Sequence, residues 1–178
     1  MIITGDKLTS LKDAQHFPEW PQWQKAMEAK LKQLHAMNTW QLIDKPADPI
    51  PISNKWIFIC EQDKIGEIVR YKARLVAKGF TQHPGQDYNK TYAPVIRMDM
   101  LRVILAMALV KELKVYQLDI KGVYLNGILQ ETIYMQQPKG FDDKTGRVCD
   151  LIETLYSLKQ SGQEWNTELY KQLTCYGF

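Results

Sequence analysis

The sequence predicts an α+β fold, and three observations carry that prediction. Residues 19–37 hold an amphipathic stripe in which Trp20, Trp23, Met27, Leu31 and Leu34 recur at three- and four-residue steps, the period of a helix with one buried face. Residues 55–61 and 68–78 are rich in β-branched and aromatic side chains and flank a turn at Asp63-Lys-Ile-Gly66, the pattern of a hairpin. Beyond residue 96, helical and strand-like periods alternate with no interdomain linker or repeat.

Residues 1–15 are polar and are expected to form a loose arm ahead of one domain over 16–178. Pro21 suits the first turn of the 19–37 helix, and Asn38 is its stop. Residues 40–43 form a short strand, followed by a proline-rich connector over 45–51. After the hairpin, His83-Pro-Gly85 is a loop and Pro94 closes an irregular stretch. Residues 97–111 predict a second helix, apolar along Met98, Leu101, Ile104, Leu105 and Ala108. Residues 113–120 read as a strand that delivers Asp119 at its end, and 132–135 and 148–152 as further strands. The last helix spans 162–176, with Trp165, Leu169 and Leu173 at four-residue steps.

Composition narrows the function classes. The 178 residues are 45% hydrophobic and 24% charged, which suits one soluble globular domain with a real core. Net charge is +3, but residues 55–102 alone hold nine Lys/Arg against five Asp/Glu, so the basic bias is concentrated around the hairpin and permits a nucleic-acid partner. Three separated cysteines without a CxxC, and three histidines without ligand spacing, argue against a disulfide frame and a zinc site. The N-terminus does not read as a signal peptide, and the longest apolar run, 103–110, is too short to span a bilayer. The expected location is intracellular, cytoplasmic or nuclear, with no membrane partner.

The candidate chemistry centres on Asp119, a strand-end carboxylate with an aromatic, Tyr124, five residues on. That spacing suits a metal held at a strand end with a flat ring beside a sugar. A pair of Mg²⁺ ions needs several oxygen ligands, however, and one carboxylate does not supply them. Lys72 and Arg74, two apart on a strand, project from one face. From the residues alone, a strand-end Asp such as Asp119 is more often a turn former or cap, Lys72 and Arg74 a solvated strand face, and Tyr124 core packing.

Ten short runs decide among these. They begin with Asn38-Thr-Trp40, Lys55-Trp-Ile-Phe58, Tyr71-Lys-Ala-Arg-Leu-Val-Ala-Lys-Gly-Phe80, Gly85-Gln-Asp-Tyr88 and Tyr92-Ala-Pro-Val95. They continue with Gln117-Leu-Asp-Ile-Lys121, Leu125-Asn-Gly127, Ile133-Tyr-Met135, Gln137-Pro-Lys-Gly-Phe141 and Leu155-Tyr-Ser-Leu-Lys-Gln-Ser161. In this order and spacing the chain resembles the reverse transcriptase of Ty1/copia-type LTR retrotransposons from about residue 20 to its end. The resemblance implies part of a right-hand polymerase, with fingers over about 40–95 and the start of the palm over about 96–178. It implies RNA-directed DNA polymerase chemistry with Mg²⁺, deoxynucleotides and an RNA/DNA template-primer, and a polyprotein whose other products are possible partners. By position, Asp119 matches the first catalytic and metal-binding aspartate, and Ile120 matches the carbonyl that joins it on the metal. Tyr124 matches the aromatic beside the incoming sugar. Lys72 and Arg74 match the triphosphate-holding cations, and Lys159 and Gln160 match the segment lining the nucleotide and template-primer region.

The departures from the family pattern set further expectations. The family's Tyr/Phe-x-Asp-Asp hairpin falls beyond residue 178, so the domain is expected to be incomplete, a fragment or remnant inactive by itself. The alternative function is non-catalytic nucleic-acid binding through the basic hairpin. Phe141-Asp-Asp143 has no intervening residue and reads as loop carboxylates. Ile59 and Glu61 stand where the family has basic residues, Gly122 is expected to loosen the turn after Asp119, and Ser157 replaces a glycine where backbone freedom is expected to matter.

Overall fold

The computed structural model describes residues 2–3, 11–48 and 50–177, and shows an α+β arrangement with four helices and two antiparallel sheets of three strands. The elements run β1 (Ile2–Ile3), α1 (Leu11–Gln15), α2 (Trp20–Ala36), β2 (Trp40–Ile43), β3 (Asn54–Gln62), β4 (Ile68–Ala77), α3 (Met98–Val110), β5 (Ile128–Gln136), β6 (Val148–Glu153) and α4 (Ser161–Cys175). Of the arm expected over 1–15, residues 1 and 4–10 lie outside the described residues, as does residue 49 of the proline-rich connector, while 11–15 form helix α1 with Ala14 in the core cluster.

One sheet has the order β1-β3-β4, the other β2-β6-β5. The β3–β4 hairpin pairs Trp56 with Leu75 and Phe58 with Ala73, so these four side chains share a face. All four are buried there. Helix α2 docks its stripe of Trp23, Met27, Leu31 and Leu34 into the same core cluster. Trp23 is the pivot, meeting Phe58 edge-on at 5.1 Å and Tyr71 at 4.7 Å between ring centroids. Asn38, at φ 52°, turns the chain out of α2, and buried Thr39 closes the helix end by donating its N–H and hydroxyl to the Leu34 carbonyl.

Backbone bonds tie the two sheets into one body. Ile52 donates to Tyr134 at 2.8 Å and accepts from Gln136 at 2.9 Å, while Ala77 donates to Tyr156 at 3.1 Å. Asn54, fully buried, adds an amide bond to the Gln136 carbonyl at 2.7 Å, and the Trp56 indole donates to the Lys139 carbonyl at 3.0 Å. Each buried donor thus meets an acceptor across the junction, as burial demands.

Two expectations change here. Residues 113–120 are exposed, hold no regular secondary structure and join no ladder among the described residues, so the strand expected there is absent. An apolar-rich run of strand composition specifies a pleat, not a partner, and no described strand lies alongside to accept its hydrogen bonds. Helix α3 forms close to where its period put it, yet of its residues only Ala108 is buried. Leu109 and Val110 are 80% and 84% exposed, and Met98, Val103 and Met107 all exceed half.

The glycine-like position at Ser157 is real. Ser157 sits at φ 70°, and its carbonyl lies so close to Gly79 that a Cβ built there would collide with the oxygen. A side chain in the left-handed region costs about 1–2 kcal/mol that glycine avoids. Ser157→Gly is therefore expected to raise stability by about 1 kcal/mol, read as a higher urea midpoint at unchanged slope.

Candidate functional site

An open cleft of about 780 Å³ runs between α2 and β4. One wall is α2, through Lys25, Lys30 and Gln33; the other is β4 from Val69 to Arg74, an edge strand of its sheet. The turn 119–122 and Tyr156 complete the lining. Lys72 and Arg74 pair across β3 with Ile59 and Ile57 and share the face opposite the Trp56–Leu75 core pair. Four sequence-selected residues, Lys72, Arg74, Asp119 and Ile120, therefore line one space although they come from distant segments.

Charge in the cleft is one-sided. Lys25, Lys30, Arg70, Lys72, Arg74 and Lys121 line it against Asp119 alone among the lining carboxylates. Lys72 is partly neutralised, since its Nζ pairs with Glu61 at 3.1 Å, and the departure noted at Glu61 takes physical form there. Lys30 is different. Burial, then the nearby Arg74 and Lys72 charges, push its pKa down to about 8.

Tyr156, a lining residue, belongs to an aromatic pair whose other member, Tyr124, is not itself part of the lining. Tyr124, in the 3₁₀ turn Val123–Asn126, meets the Tyr156 ring at 5.5 Å and 89°. Its backbone carbonyl accepts from the Thr154 hydroxyl. Lys30 Nζ and Arg74 Cζ lie 5.6 and 5.7 Å from the Tyr156 ring centroid, within cation–π reach. Gly122 precedes this turn at φ 67°, where a glycine is favoured; it fixes the turn and does not loosen it.

The remaining candidates sit apart from the cleft lining. Lys159 has an exposed side chain, and its backbone N–H donates to Gln82 Oε1 at 2.8 Å. Gln160 is fully buried, accepting from Gln82 Nε2 at 3.1 Å and donating to the Asp87 carbonyl at 2.9 Å, so its amide fastens the 82–87 loop to the α4 start. Asp143 organises its own loop, with bonds from Thr145, Gln137 and Arg147 that hold its carboxyl well below the usual range. Sequence reasoning missed Lys30 and Tyr156 as cleft residues. The odd polar position in the α2 stripe and the Leu155-Tyr-Ser run were the available signals.

Can these residues hold a divalent metal? Asp119 offers one carboxylate and Ile120 lies beside it, inside a ring of cations. Among the described residues no group of three or more His, Cys, Asp or Glu gathers in a metal-holding cluster. A pair of hard cations needs more oxygen donors than this. The described donor set does not fit a metal pair.

Comparison with known proteins gives one consistent answer. A family profile described as reverse transcriptase (RNA-dependent DNA polymerase) matches residues 37–178. The chain is 42% identical over 168 residues to the retrovirus-related Pol polyprotein from transposon TNT 1-94 of Nicotiana tabacum, covering 93% of this chain and 13% of that one. It is 39% identical over 159 residues to the Pol polyprotein from transposon RE1 of Arabidopsis thaliana, covering 88% and 11%. A Ty1 Gag-Pol polyprotein of Saccharomyces cerevisiae is 34% identical over 146 residues, covering 79% and 8%. The chain thus spans 13% or less of these relatives' lengths. No solved structure matches.

Proposed function

Because this chain belongs to the Ty1/copia-type retrotransposon reverse transcriptase family, we propose that it is a fingers-and-palm portion of an RNA-directed DNA polymerase and that the α2–β4 cleft is its phosphate-facing surface. The observation that carries the reading is the convergence of Lys72 and Arg74 with Asp119 and Ile120 on one cleft. In this reading the β3–β4 hairpin is the fingers element and residues 96–178 begin the palm. Lys72 and Arg74 receive the phosphates of an incoming deoxynucleotide, and Tyr124 stands beside its sugar. Asp119 is the first catalytic carboxylate. Lys159 offers a further cation near the template-primer, while Gln160 serves through the loop it fastens.

Family membership implies a divalent metal, and the polymerase reaction needs one to activate the attacking hydroxyl and bind the phosphates. Because the donor set here does not fit a metal pair, no chemical step is assigned to this chain. By itself the chain binds nucleic acid and does not extend a primer. Six lining cations against one carboxylate favour that binding reading.

The test is direct. The purified chain, given Mg²⁺, deoxynucleotides and a primed RNA template, is expected to retain the hybrid at low salt and release it as salt rises. No extension product is expected. Extension that disappears in Asp119→Ala would overturn the inactivity of the isolated chain; failure to bind any nucleic acid at low salt would overturn the cleft assignment.

A further inference from the structure

Lys30 is the cation of the cleft that needs an explanation. It sits on α2, half-buried, with Nζ donating to Gln33 Oε1 at 3.0 Å, and it makes no ion pair among the described residues. Lys72 has Glu61 paired with it, whereas Lys30 is paired with no carboxylate among the described residues and feels Arg74 and Lys72 close by; Asp119 is the one carboxylate that shares its cleft. Half-burying an ammonium among other cations is unfavourable unless an anion joins them. Its position is nonetheless fixed: Lys30 Nζ and the Arg74 guanidinium lie at nearly equal distances, 5.6 and 5.7 Å, from one Tyr156 ring.

We propose that Lys30 is the third arm of a phosphate-binding cleft, held with Arg74 against Tyr156 so that α2 and β4 grip one phosphate group between them. This deepens the function proposed above and rests on its reading of the cleft as the phosphate-facing surface. The ligand chemistry is phosphate, from the polyphosphate of a nucleoside triphosphate or from the singly charged phosphates of a nucleic-acid backbone. Three cations at one site suit a polyphosphate better than a single backbone phosphate, which carries one charge.

Lys30 also makes the site pH-sensitive. With its pKa lowered to about 8, it sheds its proton as pH rises through that value, while a bound anion favours the protonated form. The groups facing it are Arg70, Lys72 and Arg74 from β4, Asp119 and Lys121 from the turn, and Lys25 on its own helix. Tyr71 and Tyr156 are the remaining titratable groups of the lining. The phosphate grip is therefore strongest below pH 8 and weakens above it.

The experiment measures binding of inorganic tripolyphosphate, and separately of a single-stranded oligonucleotide, by calorimetry in metal-free buffer from pH 7 to 9.5. Lys30→Met keeps the apolar stem and is expected to fold at least as stably, yet to bind tripolyphosphate roughly tenfold more weakly at pH 7, the loss of one charge-assisted contact. Lys30→Arg is expected to retain affinity and to lose much less of it than wild type as pH rises. Weakening of tripolyphosphate alone assigns the arm to nucleotide phosphates; weakening of both assigns it to the backbone as well. If Lys30→Met binds both ligands like wild type while Lys72→Glu/Arg74→Glu does not bind, the Lys30 proposal fails and the cleft reading stands. If the double reversal also binds normally, both fall.

Discussion

Trp23→Ala is expected to cost about 4 kcal/mol, most or all of the stability a domain of this size commands. Trp23 is 2% exposed and lies between Phe58 and Tyr71, so its removal leaves a cavity and breaks two edge-on ring contacts worth about 0.5–1.5 kcal/mol each. Urea unfolding followed by far-ultraviolet circular dichroism reads the loss. Gln24→Ala, one residue on and exposed, serves as the control and is expected to stay within about 0.5 kcal/mol of wild type. A loss below about 1 kcal/mol at Trp23 would mean that α2 is not docked on the hairpin. The stakes are functional as well, because α2 is a wall of the cleft.

The double reversal Lys72→Glu/Arg74→Glu carries the largest expected effect on binding. If each cation meets one phosphate, the slope of log affinity against log salt for a primed hybrid should flatten by about two units. At low salt the affinity itself should fall about hundredfold or more, because repulsion replaces attraction. Lys139→Glu/Lys144→Glu makes the same change in net charge on the β5–β6 loop, away from the cleft lining, and should leave the slope nearly unchanged. Equal effects from the two pairs would reduce the cleft to one patch in a diffuse field. Lys72→Glu also places two carboxylates together, since Glu61 is the present partner of Lys72, so circular dichroism must accompany the measurement.

The sequence carried the local structure well where one element determines its own pattern. The Trp23, Met27, Leu31 and Leu34 stripe is the face that α2 buries, and the β-rich runs around Asp63 are the hairpin. It failed where the outcome depended on a distant partner. Residues 113–120 have strand composition, but a ladder requires a neighbour whose position no local pattern encodes. The periodicity of α3 predicted a helix correctly and its exposure not at all. The site divides the same way. Lys72, Arg74 and Asp119 were readable from strand spacing and family register, and the cleft lining includes all three. Lys30 was hidden because helical stripe logic sorts residues into core and solvent, and a lysine between stripe positions falls to solvent. Tyr156 stood in the Leu155-Tyr-Ser run, but that run carries no sign of its ring contacts, because its partners Lys30 and Arg74 come from much earlier in the chain.

The exposure of α3 has an energetic consequence beyond its surface chemistry. A helix whose apolar side chains already face water contributes little new hydrated area when it opens, and so adds little to the heat capacity or denaturant sensitivity of unfolding. Its thirteen residues can fray and re-form while Trp23, Leu75, Met135 and Leu151 stay packed. The cooperative unit of this protein is therefore expected to be smaller than its polypeptide: α2 and the two sheets, which share one core, should unfold together, and the exposed 98–120 stretch should open at a lower free energy of its own.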